Sequence, residues 1–131
     1  MHNIFVYGSL MFEAVWQQIL KGKYRKIDAH LNEFWRVKIH GEVYPGLVKL
    51  AGEQVEGVLV FGLSKRDIKL LDDFEGRYYK RTAVNVTADD GNQYAAVVYL
   101  IREKYNYLLT KKCWDFEKFR DRHLQQFLRT Y

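Results

Sequence analysis

The segments of this chain that have the pattern of β-strands are short, follow one another with few helices between them, and in several cases contain glycine. About six such segments stand against about three helices, so strands and helices do not alternate, and a doubly wound parallel sheet is disfavoured. Glycine within a strand commonly marks a bend. We therefore predict an α+β fold, a small mixed or largely antiparallel β-barrel with about three peripheral helices. The predicted strands are residues 4–7, 34–40, 43–50, 55–63, 81–88 and 93–101.

Turn and cap residues separate these segments. Residues 89–92 (DDGN) form a strong hairpin signal between the last two strands. Ser64 is a good N-cap with Asp67 at the capping-box position, and Gly76 suits the left-handed end of the same helix. Pro45 marks an edge, a bulge or a strand start, because it cannot donate a ladder hydrogen bond. The other two predicted helices are residues 12–20 and 114–131.

The composition is that of one globular domain, which we predict to span residues 1–131. The net charge of +5 permits an anionic partner, but acidic and basic residues are interleaved, which favours a solvated surface over a nucleic-acid site. The single cysteine, Cys113, excludes an internal disulfide and fits a reducing compartment. No segment has the pattern of a signal peptide or the roughly 20 apolar residues of a membrane span. We expect a cytoplasmic protein with no membrane and no nucleic-acid partner.

Glu75 conflicts with its local surroundings. It follows Asp72 and Asp73 at the C-terminal end of a predicted helix, where the helix dipole favours cations. The aromatic residues Tyr78 and Tyr79 are expected to exclude water from the carboxylate and so raise its pKa. Such conflicts often mark functional sites, although a solvated acidic helix end would also explain these residues.

A second feature lies near the N-terminus, where a predicted strand ending at Tyr7 runs through Gly8 and Ser9 into a helix. Such a turn can direct successive backbone N–H groups into one space and bind a carboxylate or an oxyanion there. Gly8 would allow a ligand to approach the backbone closely. A tight turn in which Ser9 caps the helix explains the same residues equally well, so the local pattern leaves both interpretations open.

Several motifs occur in a fixed order: residues 5–10 (FVYGSL), 44–46 (YPG), 71–75 (LDDFE), 79–81 (YKR) and 114–117 (WDFE). Together they resemble the gamma-glutamylcyclotransferase-like family, in particular the plant avirulence-induced proteins and gamma-glutamylamine cyclotransferase. The resemblance covers nearly the whole chain. The order and spacing of the motifs, rather than any one of them, make it specific.

The resemblance implies a small mixed barrel with a pocket and no cofactor. It implies release of 5-oxoproline and a free amine or amino acid from a small-molecule gamma-glutamyl substrate, an acyltransferase reaction in which the substrate's own α-amine attacks. The family's catalytic proton shuttle corresponds to Glu75, and a pocket tyrosine corresponds to Tyr79. In the family, backbone N–H groups of one loop bind the α-carboxylate end of the substrate. The residues that correspond to this loop are Tyr7, Gly8, Ser9 and Leu10.

Other chemistry has less support in the sequence. The four histidines lack metal-ligand spacing, so no metal site is predicted, and Ser9 has no evident His or Asp partners for a serine hydrolase. Two alternatives to the enzyme stay open: a non-catalytic small-molecule or protein-binding module on the same fold, and a single-stranded nucleic-acid binder. A binding module has no need of a buried acid at Glu75, and a nucleic-acid binder would show a steep salt dependence.

Overall fold

A computed structural model describes residues 2–130. Its strands are β1 (His2–Val6), β2 (Lys26–Ile39), β3 (Pro45–Leu63), β4 (Tyr79–Ala88), β5 (Gln93–Ile101) and β6 (Leu109–Cys113). Its α-helices are α1 (Glu13–Ile19), α2 (Lys65–Glu75), α3 (Phe116–Arg122) and α4 (Leu124–Thr130), with 3₁₀ turns at Ser9–Met11, Gly76–Tyr78 and Glu103–Leu108. No helix in this part of the chain is long and apolar enough to span a membrane.

The strands close into a barrel in the order β3-β1-β5-β4-β2, because β2 pairs back onto β3. The sixth strand, β6, adds to β2 outside the closed barrel. The pairing of β1 with β5 is parallel, and the other pairings are antiparallel. The predicted α+β barrel of largely antiparallel strands is therefore confirmed, as are the hairpin of β4 and β5 and the start of a strand at Pro45.

The β2–β3 ribbon is longer than predicted and is bent. The predicted strands at residues 43–50 and 55–63 form one continuous strand, and the prediction missed residues 26–33 as a strand. The bend lies where Glu33 and Gly52 both have positive φ angles, 70° and 83°. The Gly52 N–H donates to the Glu33 carboxylate at 3.1 Å. One half of the ribbon thus belongs to the barrel, while the other half leaves it and pairs with β6.

Two hydrophobic clusters lie on the two faces of the sheet. Phe5 and Tyr7 belong to the cluster formed with inward residues of β2–β5, whereas the alternate residues Ile4 and Val6 pack against the helices. This is the two-residue period of a strand that is buried on both faces. β1 passes so close to β3 that a Cβ atom at Gly57 would lie 2.4 Å from the Val6 carbonyl oxygen. Glycine is therefore required at Gly57 for the barrel to close.

The C-terminal segment differs from its prediction as one helix over residues 114–131. It forms two short helices, α3 and α4, that are separated at His123, whose φ of −124° leaves the helical range. Past this break Phe127 packs on Phe119 at 5.5 Å and on Phe74 of α2 at 6.1 Å between ring centroids. Both helices thereby cover the barrel near the C-terminal end of α2. Tyr131 lies outside the described residues.

Candidate active site

A pocket lies where β1 ends, between the following 3₁₀ turn, the start of β3 and the C-terminal end of α2. All six residues that the sequence predicted for the site line this pocket: Tyr7, Gly8, Ser9, Leu10, Glu75 and Tyr79. Tyr44, Pro45 and Tyr99 are further residues of its wall. Residues distant in the sequence thus meet in one space, and their roles there stay predictions.

The turn after β1 lines the pocket and has backbone N–H groups that are not used within the backbone. Its 3₁₀ geometry is held by hydrogen bonds from Met11 N to Gly8 O at 3.0 Å and from Phe12 N to Ser9 O at 3.1 Å. Within residues 2–130, the N–H groups of Gly8, Ser9 and Leu10 donate to no backbone carbonyl. They are therefore available to bind an anionic group, and that role stays a prediction.

Gly8 is required because another segment of the chain approaches it closely. A Cβ atom at this position would lie 2.9 Å from two ring carbons of Pro45. Pro45 cannot retreat easily, because its carbonyl oxygen accepts a hydrogen bond of 2.6 Å from the Tyr79 hydroxyl. The Tyr79 hydroxyl therefore holds the pocket wall against the turn, and its oxygen can still accept a hydrogen bond from a ligand.

The packing of α2 brings Glu75 to the pocket. Ile68 and Leu71 are the buried residues of this helix, and Glu75 lies one turn beyond Leu71 on the same face. Gly76 then ends the helix with a φ of +74°, as the sequence predicted, but its ψ of −161° departs from the left-handed helical conformation. The helix face that the core selects thus directs a carboxylate toward the protein instead of toward solvent.

The environment of Glu75 favours its protonated form. The residue is half-buried and lines the pocket, so it is enclosed by protein but reachable by a ligand. Burial, and secondarily the negative charge of Asp72, raise its pKa from 4.5 to about 8. Within the described part of the chain its carboxyl group has no hydrogen bond and no ion pair. A carboxyl group with these properties can exchange a proton near neutral pH.

Asp72, in contrast, is fully engaged by its neighbours. One carboxylate oxygen accepts from the Tyr99 hydroxyl at 2.7 Å, and the other accepts from Arg81 at 3.0 Å. The Tyr99 carbonyl in turn accepts a hydrogen bond of 2.5 Å from the Tyr7 hydroxyl. Burial raises the pKa of Tyr7, Tyr79 and Tyr99, so these phenols stay neutral. Asp72 therefore orders the wall of the pocket and adds charge beside Glu75.

Sequence reasoning missed Tyr99 and did not assign Tyr44 or Pro45 to the site. Tyr99 had a detectable signal, because it is a polar-tipped aromatic in the otherwise apolar run of residues 95–101. Tyr44 and Pro45 are part of a motif of the resemblance, but nothing local shows that they face Glu75. The pocket is narrow: the space open to the centre of a water molecule is about 30 Å³.

Two residues of chemically reactive types, Cys113 and His123, do not line this pocket. Cys113 is exposed on β6. His123 packs beside Phe119, with ring centroids 6.3 Å apart. Among residues 2–130, no three side chains of His, Cys, Asp or Glu gather into a group that could hold a metal ion.

Comparison with known proteins agrees with this fold. A family model described as "Gamma-glutamyl cyclotransferase, AIG2-like" matches residues 4–116. The chain therefore belongs to this family. The AIG2-like protein D of Arabidopsis thaliana is 32% identical over 136 residues, an alignment that covers 98% of this chain and 86% of that protein.

Solved structures show the same architecture. The solution structure of an Arabidopsis thaliana protein matches with a TM-score of 0.75 and 31% identity, covering 98% of this chain and 78% of that one. A structure of a gamma-glutamyl cyclotransferase matches with a TM-score of 0.68 and 18% identity, covering 77% of this chain and 66% of that one. The second match is a likeness of fold alone.

Proposed function

We propose that this protein is a gamma-glutamylcyclotransferase that releases 5-oxoproline and a free amine or amino acid from a gamma-glutamyl compound. Membership of the family supports this class of reaction. The observation that carries the proposal is the position of Glu75, a carboxyl group with a pKa near 8 and with no hydrogen bond or ion pair within residues 2–130. It shares a pocket with Gly8, Ser9 and Leu10, whose N–H groups donate to no backbone carbonyl within the same residues.

Glu75 suits the proton transfers that this reaction requires. The α-ammonium of the substrate must lose a proton before its nitrogen can attack the γ-carbonyl carbon. A bond then forms between these two atoms, and the bond to the departing nitrogen breaks, which leaves a five-membered lactam. Overall the ring nitrogen loses two protons and the departing nitrogen gains two, without consumption of water. One carboxyl group with a pKa near the working pH can relay these protons, a contribution of roughly a hundred- to ten-thousandfold in rate.

The turn after β1 would bind and orient the substrate. Its N–H groups can donate hydrogen bonds to the α-carboxylate, and this would bring the α-amine and the γ-carbonyl into the same pocket as Glu75. Because the attack is intramolecular, holding the substrate in a reactive conformation can supply several kcal/mol, within the roughly 7–11 kcal/mol available to well-oriented reactions. The protein itself needs to form no covalent bond with the substrate.

A non-catalytic binding module on this fold is the alternative. Enclosing a carboxyl group without a hydrogen-bond partner is unfavourable, and a protein that only binds gains nothing from it. This observation favours the enzyme. Because the pKa of Glu75 is raised, its basic form is a minority at pH 7 and becomes the main form above about pH 8. We therefore expect kcat/KM to rise with pH, to reach half of its maximum near pH 8 and to level off above it.

The test is to incubate the purified protein with a panel of gamma-glutamyl amines and gamma-glutamyl peptides and to measure 5-oxoproline by chromatography. We expect release from at least one class of these compounds. The matched control is the same substrate with its α-amine acetylated, because this nitrogen can no longer attack. A hydrolase would still cleave the acetylated compound and would release N-acetylglutamate. Cleavage of it, or the absence of 5-oxoproline from the whole panel, would contradict the proposal.

A further inference from the structure

Arg36 of β2 lies directly behind the turn that follows β1. Its Nη1 atom donates to the Tyr7 carbonyl oxygen at 2.8 Å and to the Glu56 carbonyl oxygen at 3.3 Å. Its guanidinium also lies over the ring of Trp114, 5.2 Å from the centroid. Three segments that are far apart in the sequence thus fix the position of this one side chain.

The hydrogen bond to Tyr7 orients the peptide group between Tyr7 and Gly8. In a trans peptide the C=O and the N–H point in opposite directions. Because Arg36 holds the Tyr7 carbonyl on one side, the Gly8 N–H points to the other side. A charged donor on the carbonyl also polarises the peptide group, which makes its N–H a stronger donor.

The charge of Arg36 is not neutralised by a neighbouring carboxylate. Within residues 2–130 none of the ion pairs includes Arg36, and the Glu56 side chain acts on it only at longer range. The residue is half-buried, and burial lowers its pKa. The neighbours of this half-buried cation are two neutral carbonyls and an aromatic ring, and a ligand carboxylate would supply the anion that they lack.

We propose that Arg36 is a positioning and specificity-determining residue, which makes the turn at Gly8, Ser9 and Leu10 selective for a ligand that carries a negatively charged carboxylate. It acts through the Tyr7–Gly8 peptide and through its positive charge, without contact with the reacting atoms. This inference rests on the proposed function, since the α-carboxylate of a gamma-glutamyl compound is the anion that the turn would receive.

The experiment compares a gamma-glutamyl substrate with its α-carboxamide analogue. The ratio of the two kcat/KM values reports how far the protein prefers the charged group, and loss of stability alone leaves this ratio unchanged. We expect Arg36→Met to lower the ratio about tenfold or more, mainly through a higher KM for the charged substrate. Arg25→Met is the matched control, because Arg25 also lies over an aromatic ring, that of Phe61, whereas the hydrogen bond to the Tyr7 carbonyl comes from Arg36.

Arg36→Gln provides the second variant, since it can keep a hydrogen bond to the Tyr7 carbonyl but carries no charge. If Arg36→Met does not fold, the ratio measured for Arg36→Gln decides. An unchanged ratio in a folded uncharged variant would overturn the proposal, and so would an equal fall in Arg25→Met.

Binding of the product separates this inference from the proposed reaction. Calorimetry with 5-oxoproline and 5-oxoprolinamide needs no turnover. If the wild type releases no 5-oxoproline but prefers the acid over the amide, and Arg36→Met removes that preference, the role of Arg36 stands while the cyclotransferase fails. If the wild type turns over its substrate but binds acid and amide equally well, the cyclotransferase stands and the role of Arg36 is wrong.

Discussion

The two ends of α2 use acidic residues in opposite ways. At the N-terminal end Ser64 caps the helix by accepting a hydrogen bond of 3.2 Å from Asp67 N. The Asp67 carboxylate lies near the positive end of the helix dipole and accepts a hydrogen bond from the Tyr24 hydroxyl. At this end every acidic group is in a favourable position.

The C-terminal end has three acids where the dipole disfavours them, Asp72, Asp73 and Glu75. Asp73 is exposed and pairs with Lys69 at 3.5 Å, and Asp72 is held by Tyr99 and Arg81. Glu75 alone among these three has no such compensation. The acidic residue at the N-terminal end thus stabilises the helix. The C-terminal end is less stable because its acids oppose the dipole, and it provides a carboxyl group with a raised pKa.

The largest effect is expected for Glu75→Gln, which keeps the size and polarity of the side chain but removes its ability to carry a proton. We expect turnover to fall roughly a hundredfold or more, by the usual contribution of general acid–base catalysis. Asp73→Asn is the control, because it removes an exposed charge from the same helix end. Near-wild-type 5-oxoproline release by Glu75→Gln would remove Glu75 as the shuttle.

The second prediction concerns stability. The pKa of Glu75 is about 8 in the folded protein and near 4.5 in the unfolded chain, so between these values the folded state holds a proton that the unfolded state releases. The stabilising contribution of the neutral group is complete below pH 4.5 and is lost as pH rises through 8. We measure the free energy of unfolding by urea denaturation at pH 5 and at pH 9. Between these pH values the free energy of unfolding of the wild type should fall by at most on the order of 4 kcal/mol relative to that of Glu75→Gln. Parallel pH curves for the two proteins would contradict the raised pKa.

Asp72→Asn should have a smaller effect. It removes the charge that adds to the raised pKa of Glu75, while its amide oxygen can still accept from the Tyr99 hydroxyl. The pKa of Glu75 should fall, though not to its ordinary value, because burial is the larger cause. The midpoint of the pH profile of kcat/KM should then lie below that of wild type, and Asp73→Asn should leave it unmoved. A midpoint that stays or rises would exclude a tuning role for Asp72.

Ser64→Ala tests the other end of the helix and should have the smallest effect. Loss of the cap should cost about 1 kcal/mol in the free energy of unfolding. The pH midpoint and kcat/KM of the remaining folded protein should match wild type at a temperature where both are folded. A changed pH profile would show that the two ends are coupled, and the division between stability and function would be wrong.

Local patterns predicted much of this architecture. The 89–92 turn, the Ser64 cap and the alternating strands needed only near neighbours, and all three are present in the structure. The predictions were wrong where contacts between distant segments determine the structure. The bend of β2 and β3 depends on the contact of Glu33 with Gly52, and the break at His123 accompanies the packing of Phe127 on Phe74 and Phe119. Neither contact can be read from residues close together in the sequence.

Short-range sequence patterns identify some of the residues that could take part in the chemistry. A strand running into a glycine turn, and an acid placed against the helix dipole, are properties of short segments, so Gly8, Ser9 and Glu75 could be selected without coordinates. The folded barrel is needed to show that these segments meet in one pocket, that Pro45 approaches Gly8 closely, and that Arg36 lies behind the turn. The physical reason is that desolvation and close approach arise from contacts between distant segments, and these exist only once the barrel has closed.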